Sequence, residues 1–202
     1  MRYLIGIDEA GRGPLAGPVA VGAVMVPRGF DWKLVTGAKD SKQMTPAARE
    51  VLYAKMVSLR KAGRLNFAVA FSSAPLIDER GIVLAIQRAL NRALQKVTEN
   101  RSLYNCEVRL DGSLKAPAEF VHQSTIIRGD MSEPIISLAS IAAKVERDRL
   151  MVRMAKRYPQ YRFEAHKGYG TRDHRARILQ QGFCPLHRTT FCKALLNGSN
   201  AV

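Results

Sequence analysis

At 202 residues the chain fits one domain that can bury its own core without staples, and its 47% hydrophobic and 24% charged residues are ordinary for a globular protein. Its 32 Lys plus Arg against 17 Asp plus Glu give a formal net charge of +15, which makes an anionic polymer the default partner. A membrane role is excluded on pattern: the longest apolar run, residues 19–26, is far too short to span a bilayer, and no basic amphipathic anchor or lipidation motif stands out. Cys106, Cys184 and Cys192 are odd in number and lack framework spacing, which suits a reducing compartment. No signal peptide is visible, because the opening apolar run meets Asp8 and Glu9 at once, so a cytoplasmic protein is expected.

In chain order, residues 3–7 read as a buried strand that stops at Asp8-Glu9. A Gly/Pro-rich connection follows over 10–18, then a β-branched strand over 19–26. Thr45-Pro46 starts a helix that ends near Gly63, and residues 65–71 form a third strand. Apolar positions 82, 83, 86, 90 and 94 predict a helix over 82–97. Strands over 108–110 and 124–127 stop at Asp111-Gly112 and Arg128-Gly129-Asp130. A long helix over 134–157 closes at Tyr158-Pro159; an aromatic and basic loop, a short helix over 172–181 and a final helix near 190–196 complete the chain. This order predicts a single α/β domain over 1–202, a mixed sheet with a helical C-terminal appendage from about residue 160.

Three predicted strands thus end in acids: Asp8-Glu9, Asp111 and Asp130. Residues just beyond strand ends line the crevice where α/β sheets bind ligands. Two like charges about 4 Å apart repel by about 4 kcal/mol at an effective dielectric near 20, so converging carboxylates require a cation. Oxygen donors without thiols favour Mg²⁺ or Mn²⁺. In a protein this basic, such a cluster points to phosphodiester hydrolysis assisted by two ions. Adjacent strand residues face opposite ways, so Asp8 and Glu9 can share a site only where the strand gives way. Each acid alone could be a turn or cap, and Asp111-Gly112 alone is more often a turn.

The segment Gly11-Arg12-Gly13-Pro14-Leu15-Ala16 also fits G-x-G-x-x-A after a strand, the dinucleotide-binding fingerprint. That fingerprint requires a helix next, whereas a β-branched run follows and Pro14 and Pro18 interrupt. Close backbone approach to a sugar-phosphate, with Arg12 on a phosphate, is the better use of this loop.

Residues 6–19, Gly6-Ile7-Asp8-Glu9-Ala10-Gly11-Arg12-Gly13-Pro14-Leu15-Ala16-Gly17-Pro18-Val19, closely resemble the opening motif of ribonuclease HII, the type 2 ribonucleases H. In order come matches to D-S-K (Asp40-Ser41-Lys42), the third and fourth acids (Asp111 and Asp130), and the A-S-I-x-A-K-V-x-R-D helix from Ala139 to Asp148. His166-Lys167-Gly168-Tyr169-Gly170-Thr171 and His187-Arg188 with Phe191 complete the series. The resemblance implies a ribonuclease H-like fold, a central mixed β-sheet flanked by helices with a small helical C-terminal region. It implies hydrolysis of the RNA strand of RNA/DNA hybrids and cutting 5′ to single ribonucleotides in duplex DNA, leaving 3′-hydroxyl and 5′-phosphate ends. It implies Asp8, Glu9, Asp111 and Asp130 as ligands of divalent metal, Mn²⁺ or Mg²⁺. Asp8 would bridge two ions, and Asp130 would hold the one on the side of the attacking water. Gly11, Arg12 and Gly13 would sense the ribose 2′-hydroxyl, Tyr169 would stack on the next sugar, and Lys42 would contact a phosphate. Nucleic acid is then the partner, with no membrane and a monomeric enzyme. Ser137-Leu138 departs from the small alanines of many relatives.

The bland readings are specific. Tyr169 could be a loop aromatic, Lys42 and Arg12 solvated charges, and Lys144, a turn from Ser140, purely structural. Cys184, His187 and Cys192 suggest zinc but lack a fourth ligand, with His174 expected to face solvent. Cys106 reads as a small buried apolar residue. Two rival functions are a polynucleotidyl transferase of the same fold acting on DNA, and a non-catalytic hybrid-binding module.

Overall fold

In the computed structural model, residues 1–37, 44–193 and 195 are described. Lys42, with the rest of Asp40-Ser41-Lys42, lies outside them. Five strands, β1 (Tyr3–Ala10), β2 (Val19–Pro27), β3 (Asn66–Ser72), β4 (Cys106–Asp111) and β5 (Gln123–Ile126), form one sheet in the order β3-β2-β1-β4-β5. β1 is antiparallel to β2 and parallel to β4; β2–β3 is antiparallel and β4–β5 parallel, so the sheet is mixed. β2 is buried on both faces up to Val26, which is why its sequence runs apolar without alternation.

One face of the sheet packs Ile5, Ile7, Val19 and Val21 against Ile86, Leu90 and Leu94 of α2 (Ala74–Val97). The other packs Val24 and Val26 against Leu52 and Met56 of α1 (Pro46–Lys61) and Ile135 and Leu138 of α4 (Pro134–Arg157); between them in the chain lies the short α3 (Gly129–Ser132). α4 rests on the strand backbones themselves. A Cβ on Gly6 or Gly22 would come within 2.3 Å of the carbonyl oxygens of Ile135 and Ala139. The small residues Ala139, Ala142 and Ala143, all buried, complete this close approach. Two further helices, α5 (Phe163–His166) and α6 (Arg172–Gln181), pack beyond the end of α4, where Tyr161 and Phe163 cover Ala16, Met151 and Ala155.

The predicted elements are present with three corrections. β1 does not stop at Asp8: it continues through Glu9 to Ala10, paired with Ala20 of β2. α2 begins at Ala74 rather than 82, capped by the Ser73 hydroxyl accepting from the Leu76 N–H at 3.4 Å. Gly81 (φ 79°, ψ 160°) leaves helical geometry inside it, so the apolar period restarts there and only the second half is legible as a helix. The final helix expected near 190–196 opens as a 3₁₀ turn, Thr189–Cys192, and beyond it the described residues Lys193 and Leu195 are helical.

Candidate active site

The register of the sheet assembles the acids. Parallel pairing of β1 with β4 ends at Ile7↔Leu110, so Asp8 and Asp111 come next, side by side on the α4 face. Asp8 is 3% exposed, and its Oδ1 accepts from the Glu9 N–H at 2.7 Å. Burial raises its carboxyl well above the usual carboxylate range; a hydrogen bond from Ser140 of α4 opposes this, and the charges of Glu9 and Asp111 push it higher. Burial also raises Glu9, against the pull of Arg12, whose Nη1 lies 3.2 Å from Glu9 Oε1. Asp111 Oδ1 accepts from the Gly129 N–H at 2.7 Å, which ties the end of β4 to the start of α3. The next residue, Asp130, is 1% exposed; it is carried on a helical turn that follows Arg128 in left-handed geometry (φ 54°), not on a strand end.

Asp8, Glu9 and Asp111 line a cleft of about 450 Å³ together with residues 10–13, Lys144 and Tyr169; Asp130 lies outside that lining. Among the described residues no three acids, histidines or cysteines are drawn together at ion-holding distance. Glu9 is turned to Arg12, and Asp111 to the Gly129 amide. The donor set nevertheless fits a hard divalent cation. The carboxylates offer only oxygen, and Asp8 is raised by burial first and then by the charges of Glu9 and Asp111, a repulsion that a cation among them would offset.

Across the cleft, Tyr169 is 43% exposed, with Lys144 Nζ 5.5 Å and the Arg147 guanidinium 5.8 Å from its ring centre. Lys144, set aside from the sequence as structural, therefore lines the cleft, while its ammonium also pairs with Asp148 at 2.8 Å.

The loop carrying Tyr169 stands on three histidines. His166 Nδ1 accepts from the Gly168 N–H at 3.1 Å, and His174 Nδ1 lies 2.9 Å from the Tyr169 carbonyl. The His166 and His174 rings stack at 4.2 Å, and His174 Nε2 meets His187 Nε2 at 3.2 Å. His174 is fully buried, correcting the expectation that it faces solvent: the rings of His166 and Phe163 cover it. Both ring nitrogens of His187 are engaged, one by the Cys184 N–H and one by His174, which removes the donor a zinc site with Cys184 needs. Burial pushes His174 and His187 down to about 4 and lowers His166 as well.

The profile of the ribonuclease HII family matches residues 5–194 of this chain. The chain belongs to the ribonuclease HII family. It is 41% identical to the ribonuclease HII of Endomicrobium trichonymphae, over 92% of this chain and 83% of that protein. It is 39% identical to that of Caldicellulosiruptor bescii, over 97% and 89%. The structure of ribonuclease H2 from Pyrococcus horikoshii OT3 superposes with a TM-score of 0.74 at 26% identity, covering 99% of this chain and all (100%) of that one. The Bst-RNase HIII structure solved with Mn²⁺ superposes at a TM-score of 0.71 over 98% of this chain and 70% of its own; at 17% identity it shows the shared fold alone. As a ribonuclease HII family member the chain is a metal-dependent hydrolase, an endoribonuclease of RNA/DNA hybrids with the ribonuclease H-like fold. No helix among its described residues is long and apolar enough to cross a membrane.

Proposed function

We propose that this ribonuclease HII family member cuts the phosphodiester 5′ to a ribonucleotide, in long hybrids and at single ribonucleotides within duplex DNA, leaving 3′-hydroxyl and 5′-phosphate ends. The observation that carries this reading is one cleft with the carboxylates of Asp8, Glu9 and Asp111 on one wall and the Gly11-Arg12-Gly13 loop and Tyr169 on another. Asp8, Glu9, Asp111 and Asp130 would hold Mg²⁺ or Mn²⁺, two ions that activate water and stabilise the leaving oxygen when bound. The chain's own residues bind and orient the substrate. Backbone groups of Gly11, Arg12 and Gly13 meet the 2′-hydroxyl, the feature that separates RNA from DNA locally. Tyr169, half exposed over two cations, presents a face for the sugar that follows. Arg12, paired with Glu9 in this structure, would be released to contact a phosphate if Glu9 held the metal. Lys42, outside the described residues, would contact a phosphate.

The test is duplex DNA with one ribonucleotide, incubated with Mn²⁺ alongside EDTA and all-DNA controls. A single cut on the 5′ side, absent from both controls, is expected. Cleavage of a long hybrid alone would overturn the single-ribonucleotide reading. Cleavage of an all-DNA junction would favour a DNA-directed transferase, and folded protein that binds hybrids without cutting would favour a binding module.

A further inference from the structure

Two arginines inside the protein make contacts that the reading above does not use. Arg147 of α4 and Arg188, just before the last 3₁₀ turn, are both fully buried, and among the described residues neither is ion-paired to a carboxylate. A buried guanidinium is costly unless its donors are engaged. Here they are engaged by main chain. Arg188 donates from Nη2 to the Gly11 carbonyl at 2.7 Å, from Nη1 to the Arg12 carbonyl at 2.9 Å and from Nε to the Gly17 carbonyl at 2.9 Å. Arg147 donates from Nε to the Pro18 carbonyl at 2.9 Å, from Nη2 to the Ala16 carbonyl at 3.1 Å and from Nη1 to the Lys167 carbonyl at 3.0 Å. Two forks thus grip both ends of the glycine loop and join it to the segment that leads into Tyr169.

The consequence follows from peptide geometry. In a trans peptide the C=O and the N–H of the next residue point in opposite directions. With the Gly11 and Arg12 carbonyls drawn inward onto Arg188, the N–H groups of Arg12 and Gly13 point away from it, outward toward the cleft. Gly11 makes this possible, since at φ +87° a Cβ there would lie 2.0 Å from Arg147 Nε. We propose that Arg147 and Arg188 are positioning residues for ribose recognition, turning the loop so that it offers donors to the 2′-oxygen. A deoxynucleotide leaves those donors unmatched, which is the stronger form of discrimination.

This inference rests on the glycine loop reading the 2′-hydroxyl, and its test separates the two ideas. Lysine keeps the charge but cannot reach three carbonyls in one plane. Binding is measured by fluorescence anisotropy in Ca²⁺ with EDTA-treated protein, comparing duplex DNA with one ribonucleotide against the all-DNA duplex. Wild type is expected to prefer the first; absence of preference in wild type would defeat the reading of the loop itself. Given that preference, Arg188→Lys and Arg147→Lys are each expected to lower it by roughly tenfold or more, with parallel loss in kcat/KM on the single-ribonucleotide substrate. Met151→Ala, which opens a cavity against the same loop without touching a guanidinium donor, is expected to lower the melting temperature and keep the preference. If one lysine variant does not fold, the other carries the test. Full preference in a cooperatively melting lysine variant overturns the proposal, as does equal loss in Met151→Ala or failure of both lysine variants to fold.

Discussion

The two ends of the glycine loop's surroundings handle buried charge in opposite ways. At the cleft, Asp8 is enclosed beside Glu9 and Asp111, and burial, with the charges of those two neighbours added, raises its carboxyl well above the usual carboxylate range. Behind the loop, Arg147 and Arg188 are enclosed as deeply, but their donors end on six main-chain carbonyls. The first arrangement holds a buried carboxyl whose charged form is disfavoured; the second is complete in the chain alone. A site can hold unrelieved charge only if its scaffold is satisfied elsewhere, and here the carbonyl-bound arginines and the histidine stack supply that scaffold.

The largest effect expected from this contrast is functional. Asp8→Asn should reduce cleavage by about a thousandfold while leaving melting unchanged or slightly higher, because it removes a carboxylate destabilised by burial. Single-turnover cleavage and calorimetry check it; a variant that melts much lower would erase the distinction. Arg147→Ala should do the reverse at the level of stability, losing about 3 kcal/mol in urea titration as three carbonyls lose their donor. Millimolar Mn²⁺ should stabilise wild type by about 2–3 kcal/mol if it reaches a hundred times its dissociation constant, and Asp8→Asn should abolish that gain. Acid should act on the histidine stack. His174 and His187 titrate at about 4 in the fold against about 6.5 unfolded, so between those values the unfolded chain binds more protons. Stability should therefore fall by roughly 2–3 kcal/mol per pH unit in the middle of the window as pH drops from 6.5 toward 4, about 1.4 from each ring, and chemical denaturation at stepped pH reads the slope. His174→Phe should roughly halve it, since His187 still titrates. Smallest of all, Glu50→Gln breaks an exposed pair with Arg149 and should change stability by less than about 0.5 kcal/mol.

Much of the cleft wall was legible from sequence because strand ends carry their own signals: apolar runs interrupted by Asp8-Glu9 and Asp111. The strand order that makes Asp8 and Asp111 neighbours is a long-range property, and no local pattern contains it. Asp130 illustrates the limit, since its proximity in sequence to a strand end concealed a left-handed residue and a helical turn. His174 was misread because a polar residue on a short helix ordinarily faces water; the Tyr169 carbonyl and the His187 ring nitrogen, which engage its two nitrogens, and the stacked His166 ring make its burial tolerable. Arg147 and Arg188 sat in plain view within motifs, but a basic residue bonding distant carbonyls leaves no periodicity to detect. The start of α2 was legible in Ser73 and Pro75, a capping signal outweighed by the break at Gly81.

The two bare glycines beneath α4 divide the freedom to change unequally between the faces of the sheet. On the α2 side, side chain meets side chain, and exchanges such as leucine for isoleucine can be absorbed by neighbours shifting rotamers. On the α4 side, helix carbonyls touch the strands where Gly6 and Gly22 lack a methyl group, so added volume has nowhere to go except to lift the helix. Lifting it would carry Ser140 off Asp8, Lys144 off the cleft and Arg147 off the loop in one movement. An engineer seeking a sturdier enzyme has the α2 face as raw material, and the α4 face as the part of the machine whose clearances are already zero.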